Sequence, residues 1–248
     1  MARRPGGRRA SSAPHEHALA DHHFAPGRRR GCVIVADIDS GLSRLDALGN
    51  ARLPPGARDK LAAYLALLAK WNRTYNLTAI RESERMVTHH LLDSLAVLPH
   101  LEALNAAKSV ALLDVGSGAG LPAIPLAIAR PAWRVVALDS NHKKGAFIQQ
   151  VVSELALANV EAVVARVEDY RPTALFDVVI SRAFSDLATF AESSARHLAP
   201  GGRLIAMKGV RPDEEIARLP RAFRLVATTP VAVPGIDAAR HLVVMERE

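Results

Sequence analysis

Apolar residues in the first part of the chain recur at spacings of three and four, which is the period of an amphipathic helix. This pattern predicts a short helix over residues 33–48, a second over Ala57–Asn72 and a third over about Ser83–Leu98, which Pro99 ends. The segment Leu53-Pro54-Pro55-Gly56 separates the first two. The chain before the first predicted strand is therefore expected to be helical.

The pattern then changes to short runs typical of β-strands. Seven runs are predicted as strands: Val110–Val115, Arg134–Asp139, Val160–Arg166, Phe176–Ser181, Arg203–Met207, Leu225–Val233 and His241–Glu246. Helices are predicted at Leu121–Ala129, Lys143–Leu157, Asp186–Leu198 and Pro212–Leu219. Because the first five strands alternate with helices, we expect βαβ units and a mainly parallel sheet. The last two strands, linked around Pro234-Gly235, predict a hairpin whose final strand is antiparallel.

Charge is concentrated at the amino terminus. The chain has 32 Lys and Arg against 25 Asp and Glu, a net charge of +7. Residues 1–30 contain seven arginines and two acids, a balance of +5, and the remainder is nearly neutral. Since residues 1–30 lack apolar periodicity, we expect a disordered basic tail over residues 1–32. We favour a dispensable extension, and the alternative is a tether whose arginines attract RNA phosphates without reading sequence.

Composition excludes several classes of protein. Of 248 residues, 49% are hydrophobic and 23% are charged, which is typical of a globular protein. The longest uncharged apolar run, Leu61–Ala69, is much shorter than the roughly 20 residues of a transmembrane helix. Cys32 is the one cysteine, so neither an internal disulfide nor a cysteine cluster for zinc can form. We expect a cytoplasmic monomer with no membrane partner and no metal.

A glycine-rich loop follows the first predicted strand and opens a helix, which is the context of a nucleotide-binding loop. Its sequence is Asp114-Val115-Gly116-Ser117-Gly118-Ala119-Gly120-Leu121-Pro122. Glycines allow a tight turn and a close approach of ligand to backbone, and amide groups at the helix start face that ligand. The candidate cofactor-binding residues of this loop are Asp114, Gly116, Gly118, Gly120 and Leu121.

Two cofactor classes compete for this loop. A dinucleotide loop has glycines at relative positions one, three and six, whereas here they fall at one, three and five and Leu121 is sixth. The Asp114 carboxylate would repel a pyrophosphate but suits the cationic methionyl part of S-adenosyl-L-methionine (SAM). Asp139, at the end of the second strand, accepts hydrogen bonds from ribose hydroxyls in either class. The pattern favours SAM over NAD, and a glycine turn that binds nothing is the remaining alternative.

Residues after the third and fourth strands are candidates for contacts with adenine and with a methyl acceptor. The candidates for adenine, after the third strand, are Arg166-Val167-Glu168-Asp169, and the alternative is that these residues are ordinary surface charges. The candidates for the acceptor, after the fourth strand, are Ser181-Arg182-Ala183-Phe184. Ligands of open α/β sheets lie beyond the carboxyl ends of the strands. The chain lacks an Asn/Asp-Pro-Pro-aromatic motif for exocyclic amines and a catalytic cysteine for pyrimidine C5. Guanine N7, which has a lone pair and no proton, remains as an acceptor, and so do small molecules.

Several short motifs follow one another along the chain: Trp71-Asn72, Tyr75-Asn76-Leu77-Thr78, His90 with Asp93-Ser94, residues 114–125, Arg166-Val167-Glu168, Ser181-Arg182-Ala183-Phe184, Lys208-Gly209 and Arg240-His241-Leu242. In this order they resemble the RsmG (GidB) family of bacterial 16S ribosomal RNA guanine-N7 methyltransferases. The resemblance covers about residues 42–247. It implies a class I, Rossmann-like fold with a seven-stranded, mostly parallel sheet over residues 106–248, behind a helical portion at 33–105. The implied substrate is one guanine in the decoding-centre loop of 16S ribosomal RNA, presented as RNA or as the 30S subunit.

The resemblance also implies site residues. The family's SAM contacts correspond to Gly116, Leu121, Val167, Glu168 and Arg182. Ala123 stands where the family usually has glycine, which we expect to tighten the loop slightly without stopping SAM binding.

Three cations at strand ends are expected to share one rim of the sheet. We assign Arg182 a catalytic role as a positioning cation, and Lys208 and Arg240 contacts with RNA phosphates. The alternative for Arg182 is a scaffold pair with Asp114 or Glu168.

Polar residues of the helical motifs have two possible roles. His90 and Asp93 are three residues apart on one helix face and so either pair with each other or form a lid over the SAM pocket. Asn72, Asn76 and Thr78 are expected to fix a polar turn rather than to contact the acceptor.

Overall fold

A computed structural model describes residues 27–49, 52–104, 109–182, 184 and 186–248, with side chains from residue 37 onward. Its amino-terminal portion contains helices α1 (Gly27–Ala47), α2 (Ala57–Tyr75), α3 (Ser83–Met86), α4 (Asp93–Leu95) and α5 (Leu98–Leu104). A π-helical segment, Val87–Leu92, joins α3 to α4. The helical character predicted for this portion is confirmed. The third predicted helix, however, has the wider π geometry over Val87–Leu92 and α geometry on either side.

The expected boundary of the basic tail is wrong at its carboxyl end. Helix α1 begins at Gly27, so residues 27–32 belong to a helix, while residues 1–26 lie outside the described residues. The proline at position 26 precedes the helix, and the arginines at 28–30 that follow have high helix propensity.

All seven predicted strands are present in one sheet. They are β1 (Ala111–Val115), β2 (Arg134–Asp139), β3 (Val160–Val164), β4 (Phe176–Ser181), β5 (Leu198–Lys208), β6 (Phe223–Pro230) and β7 (His241–Arg247). Their order is β3-β2-β1-β4-β5-β7-β6. Strands β1 to β5 are parallel, and β7 pairs antiparallel with both β5 and β6. The mainly parallel sheet with an antiparallel last strand is therefore confirmed.

Helices α6 (Ala123–Ala129), α7 (His142–Glu154), α8 (Leu187–Ser194) and α9 (Asp213–Ala217) follow β1, β2, β4 and β5. The expected alternation fails between β3 and β4, which the irregular segment 165–175 connects. Helix α6 starts two residues later than predicted because the amides of Gly120 and Leu121 bond to the Ser117 carbonyl oxygen and complete a turn first.

Alternate residues of the strands enter two cores on opposite faces of the sheet. Leu112 and Ile180 belong to a core that also holds residues of α1, α2, α6 and α7, so the helical portion packs directly on this face. Leu113 and Val179 belong to the second core, which α8 covers. Because both faces are covered, the carboxyl ends of the parallel strands and the loops beyond them remain as the place for a ligand.

Candidate active site

The glycine loop after β1 has a backbone that only glycine adopts readily. The φ angles of Gly116, Gly118 and Gly120 are 73°, 61° and 84°. The amides of Gly116 and Ser117 donate to the carbonyl oxygen of Leu138 at 2.8 and 3.0 Å, which fastens the loop to β2. The glycines predicted from the spacing thus form one tight turn at the carboxyl edge of the sheet.

Asp114, at the end of β1, is fully buried behind this turn. Its Oδ2 accepts hydrogen bonds from Ser117 Oγ at 2.6 Å and from the Ala123 amide at 3.1 Å. Its Oδ1 has no hydrogen-bond partner among the residues that the structure describes. Burial, partly offset by these bonds, raises the pKa of Asp114 to about 6. An orphaned carboxylate oxygen is suited to a cationic group such as the methionyl end of SAM.

Asp139, at the end of β2, faces the same loop. Its Oδ2 accepts from the Gly118 amide at 2.9 Å, and its Oδ1 accepts from the Asn141 amide at 2.9 Å. Lys144 Nζ lies 3.5 Å from Oδ2. Two backbone amides therefore orient the carboxylate that the sequence predicts as the ribose ligand, and Lys144 is a neighbour that the sequence did not reveal.

Two cavities lie on either side of the loop. One, of about 280 Å³, lies between the ends of β1, β2 and β3 and is lined by Gly116, Asp139, Lys144, Val167, Glu168 and Phe184 among others. The other, of about 220 Å³, is lined by Leu77, Thr78, Gly116, Ser117, Gly118, Ala119, Leu121, Lys144 and Arg182. Both cavities are lined by Gly116 and Lys144, so they adjoin at these residues, and we refer to the two together as one elongated site. Seven of the nine predicted cofactor-binding residues line it: Gly116, Gly118, Leu121, Asp139, Val167, Glu168 and Arg182. The other two, Asp114 and Gly120, line neither of these two cavities.

A third cavity, of about 370 Å³, continues the site beyond Arg182. Its lining comes from the π-helical segment, α4 and the ends of β4, β5 and β7, and includes Ile80, His89, His90, Asp93, Arg182, Lys208, Arg240 and His241. The expectation that Arg182, Lys208 and Arg240 meet at one rim agrees with this lining. Arg182 lines both this cavity and the one at the glycine loop.

Arg182 does not make the alternative scaffold pair expected from the sequence, because its ion-pair partner is neither Asp114 nor Glu168. Its Nη1 lies 3.2 Å from Oδ2 of Asp93 and donates to the carbonyl oxygen of His89 at 3.1 Å. The Arg182 guanidinium therefore connects the end of β4 to the π-helical segment and α4, which are far from it in sequence.

Lys208, at the end of β5, lines the third cavity and also anchors the segment after β4. Its Nζ donates to Glu215 Oε2 at 2.8 Å and to the Phe184 carbonyl oxygen at 3.2 Å. Glu215 in turn accepts from the Leu187 amide at 2.9 Å. The pair of Lys208 and Glu215 therefore holds both ends of the segment that carries Phe184.

The polar turn expected after α2 is present. Asn72 Oδ1 accepts from the Thr78 amide at 2.8 Å, and its Nδ2 donates to the Ile80 carbonyl oxygen at 3.1 Å. Thr78 Oγ1 lies 2.8 Å from Nε2 of His90. Burial is the largest cause that lowers the pKa of His90 to about 4, so this imidazole is neutral at physiological pH.

The suggested pairing of His90 with Asp93 is not formed. The described hydrogen bonds of the His90 imidazole go to Thr78 and to the His89 carbonyl oxygen. Asp93 bonds Arg182 and Arg240 instead. The helix places both side chains on the third cavity, where they bond to different partners.

A sheet in this order, with a glycine loop after β1 and a carboxylate at the end of β2, defines a class I SAM-dependent methyltransferase. Solved structures share the fold. The glycopeptide N-methyltransferase MtfA has a TM-score of 0.54 at 16% identity, covering 64% of this chain and 92% of that one. A SAM-dependent methyltransferase from Aquifex aeolicus has a TM-score of 0.51 at 19% identity, covering 68% and 96%.

The chain belongs to the GidB family, rRNA small subunit methyltransferase G, whose model matches residues 57–243. Two relatives carry the name ribosomal RNA small subunit methyltransferase G. The one from Aromatoleum aromaticum is 52% identical over 87% of this chain and its own full length. The one from Chromobacterium violaceum is 53% identical over 85% of this chain and 97% of its own. The family inferred from the motifs is confirmed. The prediction that the cofactor is SAM rather than a dinucleotide is confirmed with it.

In the described part of the chain, none of the helices combines the length and the apolar character needed to cross a bilayer.

Proposed function

We propose that this protein methylates N7 of one guanine in the decoding-centre loop of 16S ribosomal RNA, with SAM as the methyl donor. The observation that carries the proposal is the arrangement of the cavities. The cavity that Arg182 shares with the glycine loop adjoins, at that side chain, the cavity of about 370 Å³ lined by Lys208 and Arg240. The site of the methyl donor and the cation-lined site of the methyl acceptor would therefore adjoin at the Arg182 side chain.

The residues that would hold SAM divide between the two ends of the elongated site. Gly116, Gly118, Gly120 and Leu121 would let the ligand approach the backbone, and Asp114 would balance the charge of its methionyl end. Asp139 would accept from the ribose hydroxyls, and Val167 with Glu168 would contact the adenine. When bound, SAM supplies an electrophilic methyl group on a sulfonium.

The acceptor site suits a nucleophile that has no proton to lose. Guanine N7 has a lone pair in its neutral form, so transfer requires alignment more than a general base. The neutral His90 on this cavity already has a partner in Thr78 and is not needed as a base. Arg182 would act by holding the acceptor, because a cation does not favour the positive charge that develops on the methylated purine.

Cations that line this cavity would contact the RNA backbone. Arg240 and Lys208 are the candidate phosphate contacts, and both line the cavity. Lys208 also holds the segment carrying Phe184, so its two possible contributions need separate tests. A ribosomal RNA substrate implies a cytoplasmic enzyme, which we propose to be a monomer that works without a metal.

The deciding experiment maps 7-methylguanosine in 16S ribosomal RNA from cells with and without the gene. We expect one guanine in the decoding-centre loop to lose its methyl group, and purified protein with SAM to restore it on 30S subunits isolated from the deletion strain. A methyl group on another atom or another RNA, or no incorporation into 30S subunits, would contradict the proposal. Running the same reaction on deproteinised 16S RNA distinguishes free RNA from the assembled subunit as substrate.

A further inference from the structure

One carboxylate in the acceptor cavity bridges two arginines. Oδ2 of Asp93 lies 3.2 Å from Arg182 Nη1, and Oδ1 accepts from Arg240 Nε at 2.9 Å. The Asp93 side chain is only 6% exposed, while those of Arg182 and Arg240 are 27% and 25% exposed. A buried anion in α4 therefore holds two partly exposed cations that come from the ends of other elements.

The bridge limits how the two guanidinium groups can point. Each guanidinium offers five N–H donors in a fixed plane. Arg182 uses Nη1 for Asp93 and for the His89 carbonyl oxygen, and Arg240 uses Nε for Asp93 and Nη1 for the Ala239 carbonyl oxygen. These contacts fix each plane and leave other donors of the same groups for a ligand in the cavity.

The bridge also sets the charge of the cavity. Asp93 is the acid among the described residues that line it, against the cations Arg182, Lys208 and Arg240. Lys208 is neutralised separately by Glu215. Without Asp93, two uncompensated guanidinium groups would face an acceptor that becomes positively charged on methylation, and like charges repel.

We propose that Asp93 is a positioning residue for methyl transfer, which orients Arg182 and Arg240 toward the acceptor and offsets their charge. This inference rests on the proposed function, because it takes the cavity beyond Arg182 as the acceptor site. Asp93 touches neither donor nor acceptor in this scheme and acts through the two arginines.

The test measures single-turnover methylation of 30S subunits at saturating SAM for Asp93→Asn, alone and combined with Arg182→Ala. Asp93→Asn should be about 100-fold slower, the loss expected when reacting groups are misplaced by about 1 Å. SAM affinity by calorimetry should stay unchanged, and Asp93→Glu, which keeps the charge, should recover part of the rate. In the Arg182→Ala background Asp93→Asn should cost less than in the wild-type background, because the part of its effect that passes through Arg182 is already lost and only the part that passes through Arg240 remains.

Glu102→Gln is the matched control. Glu102, in α5 of the helical portion, also pairs with an arginine, Arg130 at the end of α6, but it lines none of the three cavities, and we expect the wild-type rate. A wild-type rate for Asp93→Asn, or an equal loss in both backgrounds, would overturn the inference. If Asp93→Asn does not fold, a wild-type rate for folded Asp93→Glu would overturn it as well. If the wild-type protein itself fails to methylate 30S subunits, the proposed function fails, which is a separate outcome.

Discussion

The hydroxyl group of Tyr64 donates a hydrogen bond of 2.8 Å to the main-chain carbonyl oxygen of Ala119. Tyr64 lies on α2, in the helical portion, and is fully buried. Ala119 lies between Gly118 and Gly120 of the cofactor loop. The helical portion thus contacts the backbone of the loop directly, through one polar atom inside the core.

Replacing Tyr64 with Phe should weaken SAM binding and lower the free energy of unfolding. The change removes the hydroxyl and leaves the buried Ala119 carbonyl oxygen unpaired, which costs about 1–3 kcal/mol. Calorimetry with SAM and denaturant unfolding measure the two effects. Tyr75→Phe is the control, because Tyr75 is 44% exposed and lines none of the three site cavities. Unchanged affinity and stability in Tyr64→Phe would show that the loop does not depend on this bond.

Gly116→Val should abolish SAM binding while the protein still folds. The φ of 73° at Gly116 is disfavoured for a β-branched residue, and the strain costs about 1–3 kcal/mol. Gly201→Val is a matched control, because Gly201 has a φ of 77° with open space around it and lies away from the cofactor cavities. Calorimetry should detect SAM binding in the control variant alone. A folded Gly116→Val with wild-type affinity would remove the loop from the cofactor site.

SAM affinity should fall as the pH drops below about 6. Burial raises the pKa of Asp114 to about 6, so in the free protein this carboxyl is protonated below that value. A bound cation favours the ionised form, and binding at low pH must therefore expel a proton. Asp114→Asn should bind more weakly and with little pH dependence. Calorimetry in buffers of different ionisation enthalpy measures the protons released on SAM binding. If the wild-type protein releases no proton on binding SAM below pH 6, the prediction is contradicted.

Arg182→Ala should lose about 100-fold in the rate of methyl transfer, because we propose that Arg182 aligns the acceptor. The free energy of unfolding should change by less than about 2 kcal/mol, since Asp93 keeps its second partner, Arg240. Arg182→Lys should restore little activity, because an ammonium does not replace a planar fork of donors. The measurement is single-turnover methylation of 30S subunits at saturating SAM. Full activity in Arg182→Ala would reduce Arg182 to a structural role.

Lys208→Met and Glu215→Gln should have similar effects if the pair acts by holding the segment after β4. Each variant breaks the charged bond between them, so Phe184 should shift at the end of the site where we propose that adenine binds. SAM affinity should then fall by about tenfold, the equivalent of roughly 1.4 kcal/mol. If Lys208 instead contacts RNA phosphates, Lys208→Met should weaken 30S binding while Glu215→Gln should not. Asp213→Asn is the control, because Asp213 pairs with Arg211 on the exposed surface nearby. Wild-type SAM affinity in both variants would contradict the anchoring role.

The strands and the cofactor loop were predictable because their signals are local. A buried strand such as Val135–Leu138 is a continuous apolar run, and a turn with positive φ demands glycine at fixed spacing. The ends of parallel strands meet at one edge of the sheet, so the order of the strands alone was enough to predict that Asp114, Asp139 and Arg182 lie near one another.

Partners across long stretches of chain were not predictable. Asp93 is separated from Arg182 by 89 residues and from Arg240 by 147, and no local pattern encodes which charges meet. Tyr64 lies on the buried face of α2, and its position in that apolar pattern does not indicate which carbonyl oxygen its hydroxyl bonds. Glu215 is one of three acids in the first turn of α9, and its sequence context gave no sign that it closes the segment after β4.

The π-helical segment Val87–Leu92 directly precedes Asp93, so the number of residues in this segment determines the side of the helix on which Asp93 lies. Successive residues of an α-helix are rotated by about 100°, and a π-turn accommodates an extra residue within the helix. A helix lacking one residue in this segment would keep its apolar composition yet turn Asp93 about a quarter of a revolution away from Arg182 and Arg240. The proposed acceptor site therefore depends on the number of residues in this helical turn as much as on their identity.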